Sequence, residues 1–300
     1  MTATPPTSPP IEPISGLPAQ YLFSAGDNRG LPGTFHYWRG ANGHVFLDPI
    51  PADLGAYYAE GYQPVPQDEA ELAEAAKGDA YRLEPIRRLR PGGTFLEIGP
   101  WIGRVAYSAK QAGYAVSVLE RDGDCVDLLR RCGIDAIQSV DPAQSLAQLG
   151  RKFDVIGLWH SIEHLPRPWE VITAAARALN PGGLLVVAAP NPDSAQFRLF
   201  GKYWVHLDAP RHLHLLPIAL IEGIAEKEGL VSVLRTADDQ LAQEIDTYGL
   251  NFEVRRRKWR DKDLPLRLNH WLNRAIRWLT PGGGALGGGG YTVIMQRPER

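Results

Sequence analysis

Apolar positions along the chain follow two rhythms. Between residues 94 and 235, short runs that are apolar almost throughout alternate with amphipathic stretches. The runs are TFLEI at 94–98, YAVSVL at 114–119, a weaker one at 134–139, FDVIGL at 153–158 and LLVVAA at 184–189, with another at 230–235. Helical spacing covers 68–89, 103–112, 124–131, 168–179 and 217–228. Strands without a polar face, separated by helices, are the signature of a parallel sheet covered on both sides. The helix over 68–89 begins acidic and ends Arg-rich, which suits the helix dipole.

Outside that region the rhythm changes. Residues 1–20 are Pro-rich and read as a disordered leader. Residues 21–62 are short, aromatic and turn-rich, a small N-terminal module in which 35–38 and 44–47 form a hairpin across Gly40-Ala41-Asn42-Gly43. The alternating domain takes 63–236 and resumes in a last strand at 291–300. Residues 237–290 read as a helical, basic insertion ending in a linker with seven glycines among 282–290.

Composition narrows the class without naming a function. The chain has 300 residues, 44% hydrophobic and 22% charged, with a formal net charge of -2, so a general nucleic-acid binder is not expected. Residues 1–18 hold six prolines and no apolar run, so neither a signal peptide nor a membrane span is expected there. Two cysteines, Cys125 and Cys132, sit seven apart on one helix, about 10 Å along its axis and beyond disulfide reach. A reducing, cytoplasmic setting is the expectation, with association to a membrane surface left open.

The chemistry begins at Phe95-Leu96-Glu97-Ile98-Gly99-Pro100-Trp101-Ile102-Gly103. A glycine turn between a strand and a helix turns backbone amides toward a ligand. Glu120 ends the following strand, where a carboxylate can accept hydrogen bonds from both hydroxyls of a ribose. The spacing is E-x-G-x-x-x-G, not the G-x-G-x-x-G of pyrophosphate binders. An acid two residues ahead of the first glycine suits an amino-bearing ligand better than a phosphate.

With LEIGPWIG, LERD, FDVIGLWHSIEHL, LNPGG at 179–183 and the closing strand in this order, the chain resembles the class I S-adenosylmethionine-dependent methyltransferases. EHL together with HLDAPRHL at 206–213 resembles a group acting on glycans, lipids or quinones. The resemblance implies a Rossmann-like, seven-stranded, mostly parallel sheet with the last strand antiparallel. It implies a cofactor site of Glu97, Gly99, Pro100, Gly103, Glu120, Arg121, Asp141 and Trp159, with Val140 beside the adenine and His160 next to Trp159 on the floor. Trp101 departs from the family, which commonly has glycine there. The N-terminal module is similar to that group's zinc ribbon but has no cysteine, so no structural zinc is expected.

Five of eight histidines lie between residues 160 and 214. Methyl transfer to oxygen asks the protein to align a nucleophile and accept its proton, and histidine does this near neutral pH. His206, His212 and His160 are the candidate bases, with Arg211 available to an anionic substrate group. His160, Glu163 and His164 share one face of a helical turn, although a backbone-bound His164 is the reading preferred and no divalent metal is expected. A saccharide, lipid-linked glycan or similar small molecule is the expected acceptor. Rival readings are a nicotinamide-dependent oxidoreductase and a non-catalytic binding module.

The insertion holds six basic residues among 255–262, then a helix with Leu268, Trp271, Leu272, Ala275, Ile276 and Leu279 on one face. Arg267, His270, Arg274 and Arg277 fall opposite. That pattern fits peripheral membrane contact through 255–279, or a helix docked on its own domain or on a second subunit of a homodimer.

Overall fold

The computed structural model describes residues 8–58, 64–237, 240–256, 266–279 and 286–299. Strands β1 (Gln20–Ala25), β2 (Phe35–Arg39) and β3 (Val45–Leu47) open the chain, followed by helices α1 (Glu69–Ala76) and α2 (Leu83–Leu89). Then come β4 (Thr94–Ile98), α3 (Arg104–Gln111), β5 (Ala115–Glu120), α4 (Gly123–Arg131), β6 (Asp135–Gln138), α5 (Pro142–Leu149), β7 (Phe153–Trp159), α6 (Pro168–Arg177) and β8 (Leu179–Pro190). The last third holds α7 (Ala195–Phe200), β9 (His214–Leu215), α8 (Ile218–Glu226), β10 (Val231–Thr236), α9 (Gln240–Arg256), α10 (Leu266–Trp278) and β11 (Gly290–Gln296).

The larger sheet runs β10-β11-β8-β7-β4-β5-β6, with β4 to β8 parallel and β11 antiparallel to both its neighbours. The chain steps outward from β4 to β6 and then returns to β7 on the other side of β4. That reversal puts the switch point of the sheet at the carboxyl ends of β4 and β7, where sheets of this kind bind ligands. One sheet face packs Leu96, Ile98, Leu158, Val187 and Val293 against Ile172 and Ile221 of α6 and α8. The other packs Phe95, Val155, Trp159 and Val186 against Val105 and Ala109 of α3. Burial on both faces explains the absence of period-two patterning in these strands.

Helix starts follow from side-chain caps. Asp68, Asp122, Asp141 and Ser194 each accept the amide three residues on, which opens α1, α4, α5 and α7. The stretch over 68–89 is not one helix: it tightens to a 3-10 turn at Lys77–Arg82, around Gly78. Helix α5 has no counterpart in the expected pattern, because PAQSLAQL buries a single leucine, Leu146.

The smaller sheet, β1-β2-β3-β9, makes the N-terminal module inseparable from the rest of the chain. β2 and β3 pair as the hairpin expected, Trp38 opposite Phe46, and β9 adds beside β3. The leader is ordered from residue 8: Ile11 bridges Pro18 and Glu12 is fully buried, a correction to the expectation of disorder. Glu12 Oε1 lies 2.6 Å from His44 Nδ1, His44 Nε2 3.0 Å from His214 Nδ1, and His214 Nε2 3.1 Å from the Pro166 carbonyl. Acceptors stand at both ends of this row. Three bonds therefore need three ring protons, one more than two neutral imidazoles carry. The pair holds one positive charge opposite the Glu12 carboxylate. Burial and the neighbouring His44 push His214 down to about 3.

Candidate active site

The loop after β4 turns on three left-handed residues, Gly99 (φ 65°), Trp101 (φ 52°) and Gly103 (φ 76°). The two glycines are also required by space. A Cβ on Gly99 would stand 2.8 Å from Ser161 Cβ, and one on Gly103 2.4 Å from Leu129 Cδ2. Trp101 has no such freedom and takes the strained conformation with a full side chain. Its indole packs against the helical layer around Leu72 and Ile102, with the Arg104 guanidinium 5.2 Å over the ring. Pro100 is buried, and its carbonyl accepts the Gly103 amide at 2.9 Å.

Glu97 and Glu120 brace this loop. Glu97, buried, accepts the amide of Ala106 at 2.7 Å inside the first turn of α3. Desolvation pushes its carboxyl up to about 8, against the pull of that hydrogen bond and of the nearby Arg82. Glu120 accepts the amides of Trp101 (2.8 Å), Arg121 (2.6 Å) and Asp122 (2.9 Å). Burial raises its pKa while those bonds lower it. A carboxylate offers about four acceptor positions, so three amides leave room for a ribose hydroxyl.

Two other expected cofactor residues take different work. Asp141 caps α5 and pairs with Arg167 at 2.8 Å, leaving the neighbouring Val140 81% exposed at the sheet's carboxyl edge. Trp159 is not a pocket floor: its indole stacks on Phe95, centroids 6.0 Å apart, inside the core. The missing side chain of Gly157 makes space for it. The sequence gives no sign of Asp79, 3.1 Å from Arg82 and 3.2 Å from Arg104, and of the two guanidiniums Arg82 acts on Glu97.

Across Ser161 from Gly99 lies a histidine cluster around Glu163. Its carboxylate is 1% exposed, and among the described residues neither oxygen has a hydrogen-bond partner. His160 Nδ1 approaches it to 3.8 Å and His212 Nε2 to 3.9 Å. His164 Nδ1 bonds the Arg211 carbonyl at 3.0 Å and His212 Nδ1 the His206 carbonyl at 2.8 Å. Carbonyls accept only, so each ring carries a proton on Nδ1, and a neutral His212 keeps a lone pair on Nε2. Desolvation pushes His212 down to about 4, which keeps it neutral. One ligand atom each from Glu163, His164 and His212 falls within 4.8 Å of the others. The residue types and spacing fit a divalent cation.

The three candidate bases have different surroundings, with His160 and His212 sharing Glu163. His160 follows β7 directly, keeps 20% side-chain exposure and has a left-handed backbone (φ 51°). His206 is buried, its Nε2 2.8 Å from Asp246 Oδ1 on α9, and Asp246 Oδ2 accepts the Gly289 amide at 2.9 Å. No sequence signal links His206 to an acid forty residues away in the supposed insertion. Arg211 is fully buried between Asp27 (2.7 Å) and Asp208 (2.7 Å), so it is a structural tie and does not serve a substrate anion. With Tyr37 donating to the His212 carbonyl at 3.0 Å, it fastens the histidine loop to the N-terminal sheet.

A methyltransferase-domain family model matches residues 70–234. The ubiquinone biosynthesis O-methyltransferase of Xanthomonas oryzae pv. oryzae is 28% identical over 204 residues, covering 63% of this chain and 80% of the relative. The enzyme of the same name from Hahella chejuensis is 30% identical over 155 residues, covering 49% and 65%. Among solved structures, a SAM-dependent methyltransferase from Archaeoglobus fulgidus superposes with a TM-score of 0.51 at 18% identity, covering 74% of this chain and 94% of that one.

Proposed function

This chain belongs to the methyltransferase-domain family and is an S-adenosylmethionine-dependent methyltransferase, and on that premise we propose that it methylates a hydroxyl oxygen of a small-molecule acceptor, phenolic or saccharide in kind. One observation carries the reading. The glycine loop and the Glu163 cluster meet across Ser161 at the sheet's switch point, so a methyl donor on one side faces a proton acceptor on the other. The relatives named for O-methylation in ubiquinone biosynthesis support oxygen as the atom modified.

S-adenosylmethionine, when bound, supplies a methyl group already activated on a sulfonium. Gly99, Gly103 and the loop amides would hold it, with Glu120 on the ribose, Val140 beside the adenine and Arg82 near the methionine end. What remains for the protein is orientation and one proton. His160 takes the acceptor's proton. Glu163 behind it stabilises the imidazolium, and the 3.8 Å separation shortens when the ring becomes charged. His212, held neutral, and His164 close the opposite side of Glu163. A divalent cation on Glu163, His164 and His212 would additionally acidify an acceptor hydroxyl.

The test is transfer of labelled methyl from S-adenosylmethionine to a panel of catechols, prenylated phenols and saccharides, with the linkage read by mass spectrometry. A methyl ether on one class supports the proposal. Transfer only to nitrogen or carbon overturns it.

A further inference from the structure

Helix α10 has three sectors. At about 100° per residue, Asn269, Leu272, Asn273 and Ile276 fall on one side. That side docks on the protein: Leu272 and Ile276 pack against the Trp204 cluster, Asn269 donates to the Thr247 carbonyl, and Asn273 donates to the Asp246 carbonyl at 3.0 Å. Docking does not use up the helix's apolar surface. The adjoining arc carries Leu268 (43% exposed), Trp271 (68%) and Trp278 (71%), continued by Leu279 (72%). Beyond it lie the exposed Arg267, His270 and Arg274. The expected single apolar face is thus divided, half docked and half open.

We propose that this open arc is a membrane-contact surface for an anionic lipid bilayer. Two tryptophans one heptad apart on a surface helix, flanked by leucines and with arginines at the edge, match the amphipathic boundary between headgroups and acyl chains. The charge is complementary as well: the exposed Arg267 and Arg274 edge the arc, in a chain whose net charge is -2. No helix among the described residues is long and apolar enough to cross a membrane, so the contact is peripheral. The surface also stands close to the chemistry. The docked side of α10 holds the backbone of Asp246, whose carboxylate holds His206, so a molecule drawn from the bilayer arrives two helices from the histidine cluster. The inference does not depend on the nature of the acceptor.

Co-sedimentation of the full chain with phosphatidylcholine vesicles, with and without phosphatidylglycerol, tests it. Binding is expected to be at least about tenfold tighter to the anionic vesicles and to weaken with salt. The double variant Trp271→Ser/Trp278→Ser should lose about tenfold, together with the blue shift of tryptophan emission, while melting like the wild type. Arg267→Gln/Arg274→Gln should lose affinity for anionic vesicles only. The proposal is overturned by wild-type protein that stays in the supernatant, or by a tryptophan variant that binds as the wild type does. A concentration-dependent dimer abolished by the same tryptophan substitutions assigns the arc to a second copy and overturns it equally.

Discussion

Trp101 takes a left-handed backbone conformation at φ 52° that glycine adopts without cost. Its indole, pressed on the helical layer beneath Arg104, offsets the strain with buried area. Trp101→Gly should therefore leave affinity for S-adenosylhomocysteine within about threefold while lowering the melting temperature, because the relief of about 1 kcal/mol is smaller than the packing lost. Titration calorimetry and a thermal melt check the two halves separately. On the opposite side of Ser161, His160→Asn and Glu163→Gln are each expected to reduce kcat about a hundredfold or more with product affinity unchanged, if both act on the acceptor's proton as proposed. Wild-type kcat in His160→Asn would move the role of base to His206. These residues were unequally legible. That Glu97, Gly99, Gly103 and Glu120 meet at one loop was legible because local order along the strand and loop fixes their positions. Trp159 looked like a pocket residue and is core, because Gly157 opens room for its ring on the inner face. Arg211 looked like a substrate ligand, and only tertiary partners from the N-terminal segment, Asp27 and the Tyr57 carbonyl, show it to be a tie.

Among the elements, the N-terminal sheet exists to hold the histidine loop. Glu12 is held down at about 2 by His44 and by turn amides, against its own burial. Its folded value lies below the ordinary carboxyl value of 4.5, so its stabilisation is complete above that pH and is lost as pH falls toward 2. Glu12→Gln leaves the charge of the His44–His214 pair buried and unopposed, which should cost about 3 kcal/mol in urea unfolding at neutral pH. The loss should shrink on acidification. A substitution with no effect at neutral pH would refute the charge assigned to the pair. Helix α9 shows the reverse sign. Burial raises Glu253 to about 8, opposed by the Val205 amide it accepts. A folded value above the ordinary 4.5 means full stability below that pH and a progressive loss as pH rises through 8. Glu253→Gln should accordingly melt several degrees above the wild type beyond pH 8 and show no gain below pH 4.5. Parallel strands were readable because burial on both faces writes itself into every residue. Helix α5 was not, with one buried leucine, and the support that α9 gives to His206 rests on contacts between segments far apart in sequence.

At the scale of the molecule, two pieces that look peripheral in sequence build one wall of the site. The N-terminal sheet secures the loop of His206 and His212 through Tyr37, Asp27 and His44, and α9 secures it through Asp246 and Glu253. The seven-stranded sheet supplies the side proposed for the cofactor, and the order of its strands puts its switch point at β4 and β7. The central claim is that this switch point holds S-adenosylmethionine through Gly99, Gly103 and Glu120. Calorimetric titration with S-adenosylhomocysteine, which cannot turn over, tests it most directly. Binding in the micromolar range that weakens at least about tenfold in Glu120→Ala is the predicted result. No heat of binding at millimolar ligand, or equal affinity in wild type and Glu120→Ala, would contradict it.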